Sequence, residues 1–155
     1  MKRFFQCAAA AALLVLLGAC SMFEADKTAA VKIDAIEVND REAAISEGRN
    51  IGKTLMEAVK NNDFAAVETL PIGDGKVKYP KEKFDNLVKL VQARGGIASY
   101  SYLGEMNMKH YIRLFWKVTF AGTADKKGSD IDMFFELNIV KLDGVTRVSA
   151  FGFHL

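Results

Sequence analysis

The chain has 155 residues, half of them apolar, with eleven phenylalanines and one tryptophan. That is enough for one domain with a packed core, plus a segment outside it. Its 21 basic and 19 acidic side chains sum to +2, too balanced for the strong positive field expected of a nucleic-acid binder. Two histidines and two cysteines leave little material for a metal centre or for thiol chemistry.

Lys2 and Arg3 open the chain, and Ala8 to Leu17 is an unbroken run of ten apolar residues. A basic start, a short apolar run and small residues before a cut are the layout of a secretory signal. Ten residues are too few to span a bilayer as a helix. The run ends in Leu17-Gly18-Ala19-Cys20, which resembles the lipobox of bacterial lipoproteins. The resemblance implies a signal peptide over 1–19, acylation of Cys20, and attachment to a membrane through that lipid. An ordinary signal peptide cut after Ala19 is the alternative. Ser21 stands where an aspartate favours inner-membrane retention in such lipoproteins. The implied location is the outer membrane, facing the periplasm. Removing 1–19 takes away Lys2, Arg3 and Cys7. The remaining side chains are electrically neutral, and no second cysteine is left for a disulfide.

Residues 20–38 read as the lipidated Cys20 and a tether, and residues 39–155 as the folded domain. Asn39 with Glu42 forms a capping box, and Ile45, Gly48, Gly52, Leu55 and Val59 recur at helical spacing through Lys60. Each glycine costs a helix about 1 kcal/mol against alanine, so the pair on the apolar stripe predicts close approach of another element. Asp63 caps a short helix from Phe64 to Leu70, stopped by Pro71. Gly73-Asp74-Gly75 reads as a turn, without the strand and helix a phosphate loop requires. A third helix is predicted from Pro80 to Arg94, with Phe84, Leu87, Val88 and Val91 on one face and Gly95-Gly96 at its end.

From Ile97 the period changes to two. Strands are predicted over 98–106, 110–121, 130–142 and 145–154, with Asp143-Gly144 as a two-residue hairpin turn. Pairing the second and third strands so that partner numbers sum to 249 gives one apolar face: Ile112/Leu137, Leu114/Phe135, Trp116/Met133, Val118/Ile131. The other face then pairs Tyr111/Asn138, Arg113/Glu136, Phe115/Phe134, Lys117/Asp132 and Thr119/Asp130. The fold class is α+β: three N-terminal helices packed on one face of a four-stranded antiparallel meander.

Within this order, Asn62-Asp63-Phe64-Ala65-Ala66-Val67 resembles the opening of the second helix in NTF2-like (cystatin-like) domains. Lys141 to Val148 is similar to their closing hairpin. The resemblance runs from Asn39 to Leu155 and implies an α+β cone. Enzymes of this shape use Asp, His or Tyr in the pocket between sheet and helices, where this sequence is expected to place Ile112, Leu114, Trp116, Phe135 and Leu137. His110 and His154 read as strand-end residues. No catalytic residue, cofactor or metal site is therefore expected.

Two binding readings remain. The first is an interaction face of Tyr111, Arg113, Phe115, Phe134 and Glu136, extended by Phe151, Phe153, Tyr100 and Tyr102. It would take a second copy or an envelope protein, as NTF2-like domains commonly pair; aromatics mixed with arginine suit such contacts. The second is a carrier of a small apolar ligand, lined by Phe84, Leu114, Trp116 and Met133. A carrier needs a closed apolar cavity of about 300 Å³ or more.

Overall fold

The computed structural model describes residues 36, 40–122 and 131–154. The signal, Cys20 and most of the tether lie outside that set. Helix α1 spans Arg41–Asn61, α2 Phe64–Glu68 and α3 Lys81–Gln92. They are followed by strands β1 (Ile97–Asn107), β2 (Ile112–Phe120), β3 (Ile131–Leu142) and β4 (Val145–His154). The strands form one antiparallel sheet in the order β1-β2-β3-β4. The helices cover one face, called inner here, and the α+β class expected from the sequence is the class observed.

The glycines of α1 explain how the helix sits. It buries Ala44, Gly48, Ile51, Gly52, Leu55, Met56, Ala58 and Val59. A Cβ on Gly52 would lie 2.4 Å from Trp116 Cη2, and one on Gly48 would lie 2.5 Å from Leu114 Cδ1. The missing side chains let the helix backbone rest on the β2 side chains. The start of α1 differs from expectation. Asp40 is the N-cap and makes no side-chain capping bond; its backbone is already in the helical region (φ −94°, ψ −5°) and its carboxylate pairs with Lys141 of β3, while the expected cap Asn39 lies outside the described residues. At the other end Asn62 adopts a left-handed conformation (φ 55°) that turns the chain into α2. There Asp63 accepts from the Ala66 N–H at 3.2 Å, the predicted cap.

Helix α3 begins one residue after Pro80 and packs Phe84, Val88 and Val91 inward. Its exit turns through Gly95 and Gly96, both at positive φ. Gly95 is irreplaceable on space as well: a Cβ there would stand 1.8 Å from the Gly122 carbonyl oxygen. Between α2 and α3, Pro71 and Gly73 bracket β4. The Val148 N–H donates to the Pro71 carbonyl and the Gly73 N–H to the Val148 carbonyl, each at 2.8 Å. This short parallel contact occupies part of an edge that would otherwise be open to a foreign strand.

The β2–β3 register is corrected by two residues. Partner numbers sum to 251: Ile112 faces Ile139, Leu114 Leu137, Trp116 Phe135, Val118 Met133 and Phe120 Ile131. A shift of two preserves which side chains share a face, so the apolar set survives. The gain is a fifth apolar pair. The 249 register would set Phe120 against Ser129 and Ile139 against His110, whereas the observed one buries both Phe120 and Ile139 completely.

Two further corrections come from bulges. Asp143 (φ 51°) and Gly144 (φ 77°) form the expected hairpin turn, with Leu142 facing Val145. Continued without interruption, that turn would put Phe151 and Phe153 on the outer face. An extra residue in β4, Ser149, shifts the register between Asn138 and Ile139. Its hydroxyl donates to the Asn138 carbonyl at 3.3 Å. Beyond it Phe151 faces Leu137 and Phe153 faces Phe135, on the inner side. Phe153 sits 5.1 Å from the Phe135 ring and 5.6 Å from Phe120. Tyr100 and Tyr102 of β1 likewise face Val118 and Trp116 on the inner side, not the outer patch. Bulges swap the two faces of a strand, and alternation alone does not reveal them.

Candidate functional site

The register shift gives the outer face its geometry. Each cross-strand pair expected there between described residues becomes a diagonal, one step along the ladder, which long side chains still span; Asp130, the expected partner of Thr119, lies outside the described residues. Arg113 Nε reaches Glu136 Oε1 at 3.0 Å and Lys117 Nζ reaches Asp132 Oδ2 at 2.8 Å. Arg113 also donates to Asn138 Oδ1 at 3.1 Å and to the Tyr111 hydroxyl at 3.0 Å. Its guanidinium lies 5.5 Å from the Tyr111 ring centre. Thr119 donates to Asp132 at 2.7 Å. Hydrogen bonds from Lys117 and then Thr119 hold the Asp132 carboxyl below its ordinary pKa.

Among these fixed charges stand two aromatics. Phe115 is half-buried, facing Gly104 and Glu136, and Phe134 is 49% exposed, facing Lys117 and His154. Tyr111, Arg113, Phe115, Phe134 and Glu136 thus share one face, while Phe151, Phe153, Tyr100 and Tyr102 do not join them. Gly104 faces Phe115 from one edge strand and Gly152 faces Glu136 from the other, while Phe134 stands between Lys117 and His154.

The four expected pocket residues lie on the inner face, inside the packed core. Phe84 is 1% exposed, Leu114 0%, Trp116 3% and Met133 6%. The Phe84 ring lies tilted at 5.5 Å from Phe64, and the Trp116 ring tilted at 5.7 Å from Phe135. The volume a ligand would take between α1 and β2 is occupied by the Trp116 ring pressed on Gly52.

What opens instead is a cleft of ≈ 210 Å³ at the border of α1 and β1, lined by Arg49, Asn50, Lys53, Tyr100, Tyr102 and Trp116. The Arg49 guanidinium lies 4.4 Å over the Tyr102 ring, a cation–π arrangement. The Tyr100 hydroxyl donates to Glu57 at 2.6 Å, and that of Tyr102 to Glu105. Burial, then the neighbouring Glu57, pushes the Tyr100 phenol up to about 12, and burial raises Tyr102 too. Both phenols are held as neutral donors, each fixing a carboxylate. The sequence held a trace of this cleft in Arg49 and Lys53, one helical turn apart beside the glycine stripe. Its other wall depended on the strand facing, which the bulges set. The two histidines do not meet: His110 is at the β1–β2 turn, and His154 faces Phe134 toward the other end of the sheet.

Three helices on one face of a four-stranded antiparallel meander, with α1 touching all four strands, match the NTF2-like α+β arrangement. No protein-family model and no curated protein matches the chain. A solved structure titled Rd1NTF2_05, with five substitutions in its designation, is similar at 18% identity and a TM-score of 0.46. The match covers 76% of this chain and 99% of that one.

Proposed function

We propose that this chain is a lipid-anchored envelope protein, attached through Cys20 to the outer membrane and facing the periplasm. Its domain acts by binding a second copy or a protein partner rather than by catalysis. The observation that carries the reading is the outer sheet face. Phe134 is 49% exposed in the middle of a sheet, where a water-facing surface is normally polar. The surrounding charges are already paired within the chain (Arg113 with Glu136, Lys117 with Asp132), so a partner could cover them without leaving an isolated ion. An exposed aromatic, with half-buried Phe115 and Tyr111 near it and an arginine held in place by three partners, has the composition of an interface centre.

A photo-crosslinking residue in place of Phe134, in cells, tests this. Adducts with a second copy or one envelope protein are expected, and Phe115→Ser should abolish them. Sedimentation of the purified protein separates the two partners. A monomer without adducts from this face refutes the reading. Mass spectrometry of Cys20 tests the anchor, and an unmodified cysteine refutes it.

The carrier reading draws its support from the cleft rather than from the core. Arg49, Lys53 and two tyrosine rings suit a small planar anion better than an apolar ligand. Trp116, the sole tryptophan, lines that cleft, so its fluorescence reports occupancy directly. An unchanged spectrum across a panel of aromatic carboxylates argues against this version of the carrier.

A further inference from the structure

One end of the sheet gathers the features of a surface that rests on lipid. Following the ladder across the sheet, Asn107 faces Ile112, Ile112 faces Ile139, and Ile139 faces Val148. The β1–β2 turn and the β3–β4 turn therefore project from the same end. Strand β1 ends with Met106 (51% exposed), opposite Arg113, and the turn after it carries Met108 (42%) with exposed Lys109 and His110; β4 begins at Val145 (44%). The start of α1 is at this end too, tied there by the Asp40–Lys141 ion pair.

The chain also enters the domain here. Ile36, the described residue nearest to Cys20 in sequence, lines one recess with Arg41, Asn107, Met108, Lys109 and Tyr111. Fifteen residues lie between Cys20 and Ile36. However they are arranged, they span at most about 55 Å. A lipidated Cys20 is thus joined to the domain at the Met106–His110 end, and the intervening chain is long enough to let that end reach the bilayer.

We propose that the Met106–His110 turn, with Val145 beside it, docks on the phospholipid surface as a second contact. Met106 and Met108 enter the headgroup–acyl boundary, and Lys109 lies at the phosphates. A single weak apolar contact is not retentive in itself. Tethering makes it intramolecular, so even a modest affinity is occupied most of the time. The consequence is orientation: the domain stands on this end, and its outer face and cleft point along the membrane plane or away from it. The proposal rests on the lipid-anchor reading above.

The test uses the protein purified from membranes and reconstituted in phosphatidylethanolamine–phosphatidylglycerol vesicles. With Cys7 removed and Cys20 acylated, an introduced cysteine is the sole free thiol. An environment-sensitive nitrobenzoxadiazole label is placed by Met108→Cys, and by Leu90→Cys on α3 as the exposed control at the far end. The Met108 label is expected to gain at least about twofold in intensity over the Leu90 label, and to be quenched by brominated acyl chains. Met106→Asp should remove that gain while leaving the thermal transition in place. Equal, water-like signals at both labels overturn the docking while the anchor stands. An unmodified Cys20 overturns the anchor instead. The same two labels, on protein carrying Cys20→Ser and mixed with excess vesicles, then decide the docking: a Met108-specific gain supports it, and equal signals overturn it.

Discussion

Replacing Gly52 with alanine sets two opposed effects against each other. In an exposed helix the change would stabilise by about 1 kcal/mol, because alanine has the higher helix propensity. Here the new Cβ would stand 2.4 Å from Trp116 Cη2, 2.7 Å from Cζ2 and 3.1 Å from Cζ3. Relief requires about 1 Å of separation, since carbons rest at roughly 3.5–4.0 Å. The indole cannot move that far. It is 3% exposed and held between Tyr102 at 5.3 Å and Phe135 at 5.7 Å. The helix must lift instead, loosening its buried stripe, and overpacking of this kind costs typically 1–3 kcal/mol. Set against the propensity gain, this leaves a net loss of up to about 2 kcal/mol. For a domain of this size that lowers the melting temperature by several degrees, about 4 °C per kcal/mol. Gly48→Ala is the internal control. Its Cβ would meet Leu114 Cδ1 at 2.5 Å and Ile139 Cδ1 and Cγ2 at 3.0 and 3.2 Å, aliphatic methyls that yield more readily than an indole ring, so the loss should be smaller than for Gly52→Ala. Urea unfolding followed by Trp116 fluorescence measures both. Gly52→Ala more stable than the wild type would refute the proposed packing of α1 on β2.

Gly95→Ala should be more damaging than either, by about 2 kcal/mol or more. It combines φ +87° with a carbonyl oxygen 1.8 Å from the new Cβ, and chemical denaturation reads it. The Tyr100 phenol, raised from 10 to about 12, favours the folded state while it keeps its proton. That stability is complete below pH 10 and declines as pH rises through about 12. Tyr100→Phe should flatten this part of the alkaline stability curve, and an unchanged slope would refute it. Asp132, whose carboxyl is held below its ordinary pKa, has the opposite sign: its contribution is present above the unfolded value and lost as pH falls through the folded one. An NMR titration should place its midpoint below 3.8, and Lys117→Met should bring it back up. An unshifted midpoint in the wild type contradicts the ion pair.

How much of this was legible is clearest at individual residues. Gly48 and Gly52 stood out because a helix tolerates two glycines on its apolar stripe only for a packing reason. The Asp143-Gly144 turn was readable because few residues accept two successive positive φ angles. The outer-face set Tyr111, Arg113, Phe115, Phe134 and Glu136 was readable because a strand's parity is local. The cleft was not. Arg49 and Lys53 could be placed on α1, but Tyr100 and Tyr102 were assigned to the wrong face. Nothing in the order of side chains in β1 marks the register shift between Tyr102 and Gly104.

By itself, the sequence determined the quantities that depend on near neighbours. These are the three helices and their stripes, the four strands, the turn at 143–144, and which side chains of β2 and β3 share a face. The tertiary structure alone decided the quantities that depend on where one strand stops sliding against another. The 251 register won because it buries Phe120 and Ile139 together, a comparison made between strands joined by a connection too long to impose a register. The bulge at Ser149 carried Phe151 and Phe153 to the inner face, where Phe120, Phe135 and Tyr79 surround them. That transfer left Phe134 as the exposed aromatic of the outer face. Alternation is a local rule, whereas register minimises apolar exposure over the whole sheet.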